Sequence, residues 1–125
     1  MTYDAQTALV VVDVQNDFAD PAGSLSVPGG DAVVSVANRE AVAAKQARAL
    51  VVYTQDWHPD RTPHFMVDGG PWPIHCVHDS WGASLHPDLA RGAVIVRKGI
   101  GGEDGYSGFS MRRSTGEVHS TGLDE

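Results

Sequence analysis

The chain has 125 residues, with 9 Lys and Arg against 16 Asp and Glu, giving a formal net charge of −7. Hydrophobic residues make up 42% and charged residues 20%, which excludes a disordered tail, a collagen-like rod and a coiled coil. The acidic balance argues against nucleic-acid and anionic-membrane partners, since both select clustered Lys and Arg. A chain this long fits one domain, taken as residues 1–125, and buries roughly two-thirds of its unfolded surface. The single cysteine, Cys76, excludes an internal disulfide framework and fits a reducing, cytoplasmic compartment. The longest apolar stretch near the start, Ala8 to Val12, has no basic flank and is far short of the roughly 20 residues that span a bilayer. A soluble protein is expected.

Ala8 to Val12 is a continuous, β-branched apolar run, the pattern of a strand buried on both faces of a parallel sheet. After the Pro28-Gly29-Gly30 breaker, Asp31 to Ala47 predicts a helix with Asp31 as N-cap. Its apolar positions Val33, Val34, Ala37, Ala41 and Ala44 recur near helical spacing. A second apolar run, Ala49 to Tyr53, follows almost directly, so the span predicts a βαβ unit with a right-handed crossover. Ala93 to Val96 is a third strand candidate. The Asp56–Arg91 stretch between them is too long for a mere connector, and its Trp and Pro content favours an ordered, functional loop. From Gly99 onward no strong periodic element is predicted. Three strands with one clear helix make a thin domain.

Each apolar run ends in a chemically active residue: Asp13, Asp56 and Lys98. Ligands of open parallel sheets bind outside the carboxyl ends of the strands, so these three are expected to converge on one crevice. An Asp and a Lys sharing a crevice shift each other's pKa, an arrangement that serves a nucleophile in need of a base.

Asp56, His58, His64 and His75 form a second constellation within twenty residues. In an extended segment residues i and i+2 point the same way, so Asp56 and His58 can reach one cation together. One carboxylate and three imidazoles suit Zn²⁺, Fe²⁺ or Mn²⁺ better than the oxygen-seeking Ca²⁺ or Mg²⁺. His78, His86 and His119 are read as surface or turn residues, with His86-Pro87-Asp88 a capped turn. Trp57, Trp72, Phe18 and Tyr106 are aromatics that can wall a pocket for a flat ring.

Taken in order, the motifs resemble nicotinamidases of the isochorismatase-like (cysteine hydrolase) superfamily. The matching stretches are Val11 to Phe18, Gly23-Ser24-Leu25, Val27 to Gly30, Thr54 to Pro59, Trp72 to Val77, Arg97-Lys98-Gly99 and Tyr106 to Phe109. The resemblance implies an α/β, Rossmann-like parallel sheet with flanking helices, of which this chain is the N-terminal portion. It implies hydrolysis of nicotinamide to nicotinate and ammonia through a thioester, an activity of pyridine-nucleotide metabolism. Asp13 falls on the catalytic aspartate and Lys98 on the catalytic lysine. Asp56, His58, His64 and His75 fall on the ligands of one divalent metal ion. Phe18, Trp72 and Tyr106 fall on the aromatic positions of the ring pocket.

The resemblance departs at the nucleophile. The family's cysteine lies well after the lysine, in a Gly-x-Ala-Thr-x-x-Cys-Val-like stretch that also supplies the oxyanion hole. This sequence runs to Gly122-Leu123-Asp124-Glu125, about where the next family helix is expected to begin. Cys76 directly follows the predicted ligand His75, and adjacent side chains point apart, so it is read as a small, partly buried thiol. A C-terminally truncated domain is therefore expected, inactive on its own, with the Ala8–Val14 strand left as an apolar edge. The implied partners are a small-molecule amide such as nicotinamide, and either a homo-oligomeric copy or a complementing C-terminal half. Two other readings stand beside this one: a non-catalytic metal- and nicotinamide-binding fragment, and a superfamily amidase acting on another small amide.

Overall fold

The computed structural model describes residues 2–92 and 94–125. Strand β1 (Ala8–Val11) leads through a short helix α1 (Asn16–Ala19) to helix α2 (Gly30–Gln46), which returns to strand β2 (Leu50–Asp56). Strand β3 (Val94–Lys98) completes a three-stranded sheet of order β1-β2-β3, parallel throughout. The register sets Val11 beside Tyr53 and Asp56 beside Lys98. The predicted βαβ unit is present. Ala93, the first residue of the third predicted run, lies outside the described residues.

Burial on both faces belongs to β2, not to the first run. Every β2 residue from Val51 to Asp56 is buried, because this strand has a neighbour on each side. In β1 only Val11 is buried, and Val12 just beyond it is 60% exposed. In β3 only Lys98 is buried. Among the described residues β1 pairs on one side alone, so it is an edge strand, as the resemblance implied, and not the doubly covered strand that its apolar pattern predicted.

Helix α2 packs through Val34, Ala37, Ala41 and Ala44, one face at three- and four-residue spacing. Val33 instead points to solvent. The alanines let the helix lie close on the sheet, and Ala44, with no exposure at all, leaves no room for a larger side chain. Its N-cap is Gly29, not Asp31: the chain enters the helix at a φ of 78°, a left-handed conformation that glycine adopts without steric cost. Asp31 sits in the first turn, where its carboxylate favours the positive end of the helix dipole and accepts the Ala32 N–H. The core under this helix gathers Val11, Val14, Val51, Tyr53 and Leu89.

Two features were invisible to periodicity. Beyond Gly99 the chain forms an antiparallel hairpin of β4 (Ser110–Arg112) and β5 (Val118–Ser120). Three-residue strands are too short to show alternation, and only Met111 of β4 is buried. The Asp56–Arg91 stretch is ordered by turns and isolated bridges: His58 with Val77, Phe65 with Trp72, and Gln15 with Leu85. Among the described residues no helix is long and apolar enough to cross a membrane.

Candidate active site

The three strand-end charges do converge. The Lys98 ammonium lies 2.7 Å from Asp13 Oδ2 and 2.6 Å from Asp56 Oδ1, and its third hydrogen goes to the Gly105 carbonyl. An ammonium has three donors and no acceptor, so this buried group is fully satisfied. Asp13 leaves β1 with a φ of 52° and is held by Thr54, whose hydroxyl donates to Asp13 Oδ1 at 2.7 Å. A Cβ at position 105 would overlap the Asp56 carboxylate, so glycine is what lets this carbonyl approach Lys98.

The three groups do not titrate alike. Burial, and then the like charge of Asp56, raises the Asp13 carboxyl above its ordinary value, with Lys98 and Thr54 offsetting only part. Burial also works against an ionised Asp56, but the hydrogen bonds and charges of His58 and Lys98 outweigh it and hold this carboxyl low. Burial disfavours the Lys98 charge, yet the two carboxylates raise its pKa, so it stays an ammonium. The cluster thus sets two carboxylates of opposite pKa shift, Asp56 lowered and Asp13 raised, on one ammonium.

The second oxygen of Asp56 faces two imidazoles. His58 Nε2 is 3.5 Å and His75 Nε2 3.9 Å from Asp56 Oδ2. One donor atom from each of the three residues lies within 4.8 Å of the other two, and all three residues are buried. Two bonds tie the segments together: the His58 N–H donates to the Cys76 carbonyl, and the His78 N–H to the His58 carbonyl. The Pro73 carbonyl, 2.7 Å from His75 Nδ1, can only accept, which assigns the proton to Nδ1 and frees the Nε2 lone pair. Burial lowers the pKa of His75 and keeps it neutral, as a ligand must be. This donor set fits a borderline divalent ion. His64 stands outside the three-residue group; it lines the same cavity, and its buried Nε2 has no hydrogen-bond partner among the described residues.

These groups open into a cavity of about 270 Å³. Phe18, Trp72 and Tyr106 all line it. The Trp72 indole donates to the Tyr106 hydroxyl at 2.8 Å, closing one wall across two loops. Trp57 does not belong to this wall: its ring lies under the Arg97 guanidinium at 3.7 Å. Cys76 does not line the cavity; it is completely buried, with a φ of 46° and its N–H given to Asp17. Burial, with the charges of Asp56, Asp17 and Asp13, raises its thiol well above the ordinary range. His78 lies half exposed beside Asp79, and His86 accepts the Asp88 N–H in a turn, both away from the site.

Sequence reasoning missed several contributors. Leu25 and Asp104 line the cavity, and Gly105 supplies the third acceptor to Lys98. Buried Phe65 stacks edge-on against both His58 and His75. Buried Asp17 accepts the N–H groups of Cys76 and Ser24. None has a spacing signal, because each acts through a contact made only in the folded chain.

A family model described as the Isochorismatase domain matches residues 7–121. The chain belongs to the isochorismatase domain family. Its curated relatives include the nicotinamidase of Escherichia coli, 38% identical over 94% of this chain and 62% of the relative. Among solved structures, the pyrazinamidase of Pyrococcus horikoshii in complex with zinc is 44% identical, with a TM-score of 0.77, over 83% of this chain and 58% of that one. The PnC1 protein of L. infantum in complex with nicotinate is 39% identical, with a TM-score of 0.84, over 98% of this chain and 61% of that one. The chain therefore spans about three-fifths of the length of these members of its family. The parallel sheet with a flanking helix described above is the part of the isochorismatase-like fold that they share.

Proposed function

We propose that this chain carries the metal- and ring-binding portion of a nicotinamidase-type amidohydrolase. The observation that carries the reading is the division of Asp56: one oxygen on Lys98, the other facing His58 and His75, at the floor of an aromatic-walled cavity. Zinc and nicotinate in the two solved relatives support the same assignment of ion and ring. Asp56, His58 and His75 hold one divalent ion (zinc, iron or manganese), with His64 as the further donor on the cavity wall. When bound, that ion supplies positive charge to orient the pyridine nitrogen.

Phe18, Trp72 and Tyr106 take the faces and edges of the ring. Asp13 is the acid–base group. It accepts the thiol proton as sulfur attacks the amide carbon, then delivers it to the departing nitrogen, so that ammonia leaves and a thioester remains. Water then cleaves the thioester to nicotinate and restores the thiol. Lys98 keeps Asp13 in place and offsets the thiolate charge. The thiol is not Cys76, because that group is buried, lies off the cavity and resists ionisation. These 125 residues therefore turn over nicotinamide only when another segment supplies the nucleophile.

The test is ammonia release from nicotinamide by the zinc-loaded chain, alone and mixed with a polypeptide carrying a Gly-x-Ala-Thr-x-x-Cys-Val-like stretch. We expect none alone and release in the mixture. Turnover by the chain alone would overturn the missing-nucleophile reading. The burial of Cys76 favours a second reading, binding without turnover; it is supported if calorimetry shows zinc and nicotinamide binding while neither arm releases ammonia.

A further inference from the structure

Strand β1 ends at Val11, so the last three residues of β2, Thr54 to Asp56, pair with β3 on one side and run on past the end of β1 on the other. The Asp13 N–H reaches the Thr54 carbonyl at 3.3 Å. At Asp56 a side chain takes the place of the absent strand. Gln15 Oε1 accepts the Asp56 N–H at 2.8 Å, and Gln15 Nε2 donates to the Asp56 carbonyl at 2.8 Å. The second hydrogen of Nε2 goes to the Ala83 carbonyl at 2.8 Å. Gln15 has no exposed surface, so this two-bond pairing is shielded from water.

The residue held in this way is the one whose carboxylate is divided between Lys98 and the two imidazoles. We propose that Gln15 is a positioning residue: by pairing with the Asp56 peptide it aims Oδ1 at Lys98 and Oδ2 at His58 and His75. The inference rests on the metal reading of Asp56, His58 and His75. Gln15 itself is neither in the donor group nor on the cavity wall. With its amide gone, the end of β2 is held only from the β3 side, where Asp56 faces Lys98. The carboxylate then loses its fixed origin, and an ion needing three donors at set distances is bound less tightly.

Gln55 provides an internal comparison. It is also buried and also donates to the Ala83 carbonyl, at 2.7 Å, but it does not bridge the Asp56 peptide. The experiment compares the wild-type chain, Gln15→Met and Gln55→Met for zinc affinity, by competition with a chromogenic chelator, and for Tm. Gln15→Met is expected to lose roughly 10- to 100-fold in zinc affinity, the usual effect of removing a group that orients a metal ligand. Gln55→Met is expected to lower Tm similarly while keeping wild-type zinc affinity. The visible bands of the Co²⁺-loaded chain shift only in Gln15→Met. Should that variant not fold, Gln15→Asn, whose amide falls one methylene short of the Asp56 peptide, is read the same way. Wild-type zinc affinity in the Gln15 variant, or equal losses in both variants, would overturn the proposal while leaving the metal site standing. A wild-type chain that takes up no zinc would overturn both.

Discussion

Asp56 and Lys98 are paired twice. They face each other in the parallel register of β2 and β3, and their side chains close a 2.6 Å ion pair on the same edge of the sheet. The strand register thereby places one carboxylate oxygen on the ammonium and leaves the other for His58 and His75. Through this single carboxylate the Asp13–Lys98 pair and the Asp56–His58–His75 group become one cluster.

Removing Lys98 therefore exposes the cost of the arrangement. Lys98→Met leaves Asp13 and Asp56 without their counter-charge in a buried setting, a change that typically destabilises by about 3–5 kcal/mol. Urea unfolding followed by circular dichroism measures this. The double variant Lys98→Met/Asp13→Asn is expected to recover part of the loss, because one of the two unpaired charges is gone. Equal stability of single and double variants would show that the pairing contributes little.

The metal group makes a direct prediction about composition. The purified chain loaded with zinc is expected to hold about one ion, and His58→Ala and His75→Ala to lose it, since each removes one of three clustered donors. Elemental analysis after dialysis decides this. His64→Ala, outside the cluster, is expected to weaken zinc binding less than either.

Glu103 gives the fold a pH dependence away from the site. Burial pushes its carboxyl up, but its own backbone N–H, the Gly101 N–H and the Arg113 guanidinium outweigh that and hold it below its ordinary value. A carboxyl lowered by folding stabilises the protein above its unfolded pKa of about 4.3 and loses that contribution as pH falls through the folded value. The stability gap between wild type and Glu103→Gln is thus expected to be constant near neutral pH and to shrink below about pH 4. Urea midpoints across that range check the sign; a gap that widens in acid would contradict it.

Cys76 is expected to be inert in the folded chain. Its side chain is fully buried, and burial among carboxylates keeps it a thiol. Ellman's reagent should leave the native chain unmodified over the time in which the urea-unfolded chain reacts completely. Rapid labelling of the native chain would return Cys76 to the list of candidate nucleophiles.

The sequence by itself determined the secondary-structure frame and the chemical inventory. Two of its β-branched runs enclose one alanine-faced helix, which is enough for a βαβ unit, and charges at three strand ends predict one crevice. The Asp-x-His spacing shares a face because an extended chain alternates its side chains, a local rule that needs no tertiary knowledge. Misreadings came where neighbours decide the outcome. Burial on both faces followed strand order, so β2 has it while β1 and β3 do not. Asp31 gave way to Gly29 as N-cap because the entering chain takes a left-handed turn. Trp57 left the ring wall for Arg97, and the β4–β5 hairpin is too short to show a period. Only the tertiary structure could recruit Gln15 to the Asp56 peptide, 41 positions away, or bring Phe65 against both imidazoles. Such contacts leave no spacing in the chain: packing and hydrogen-bond satisfaction in the folded interior create them.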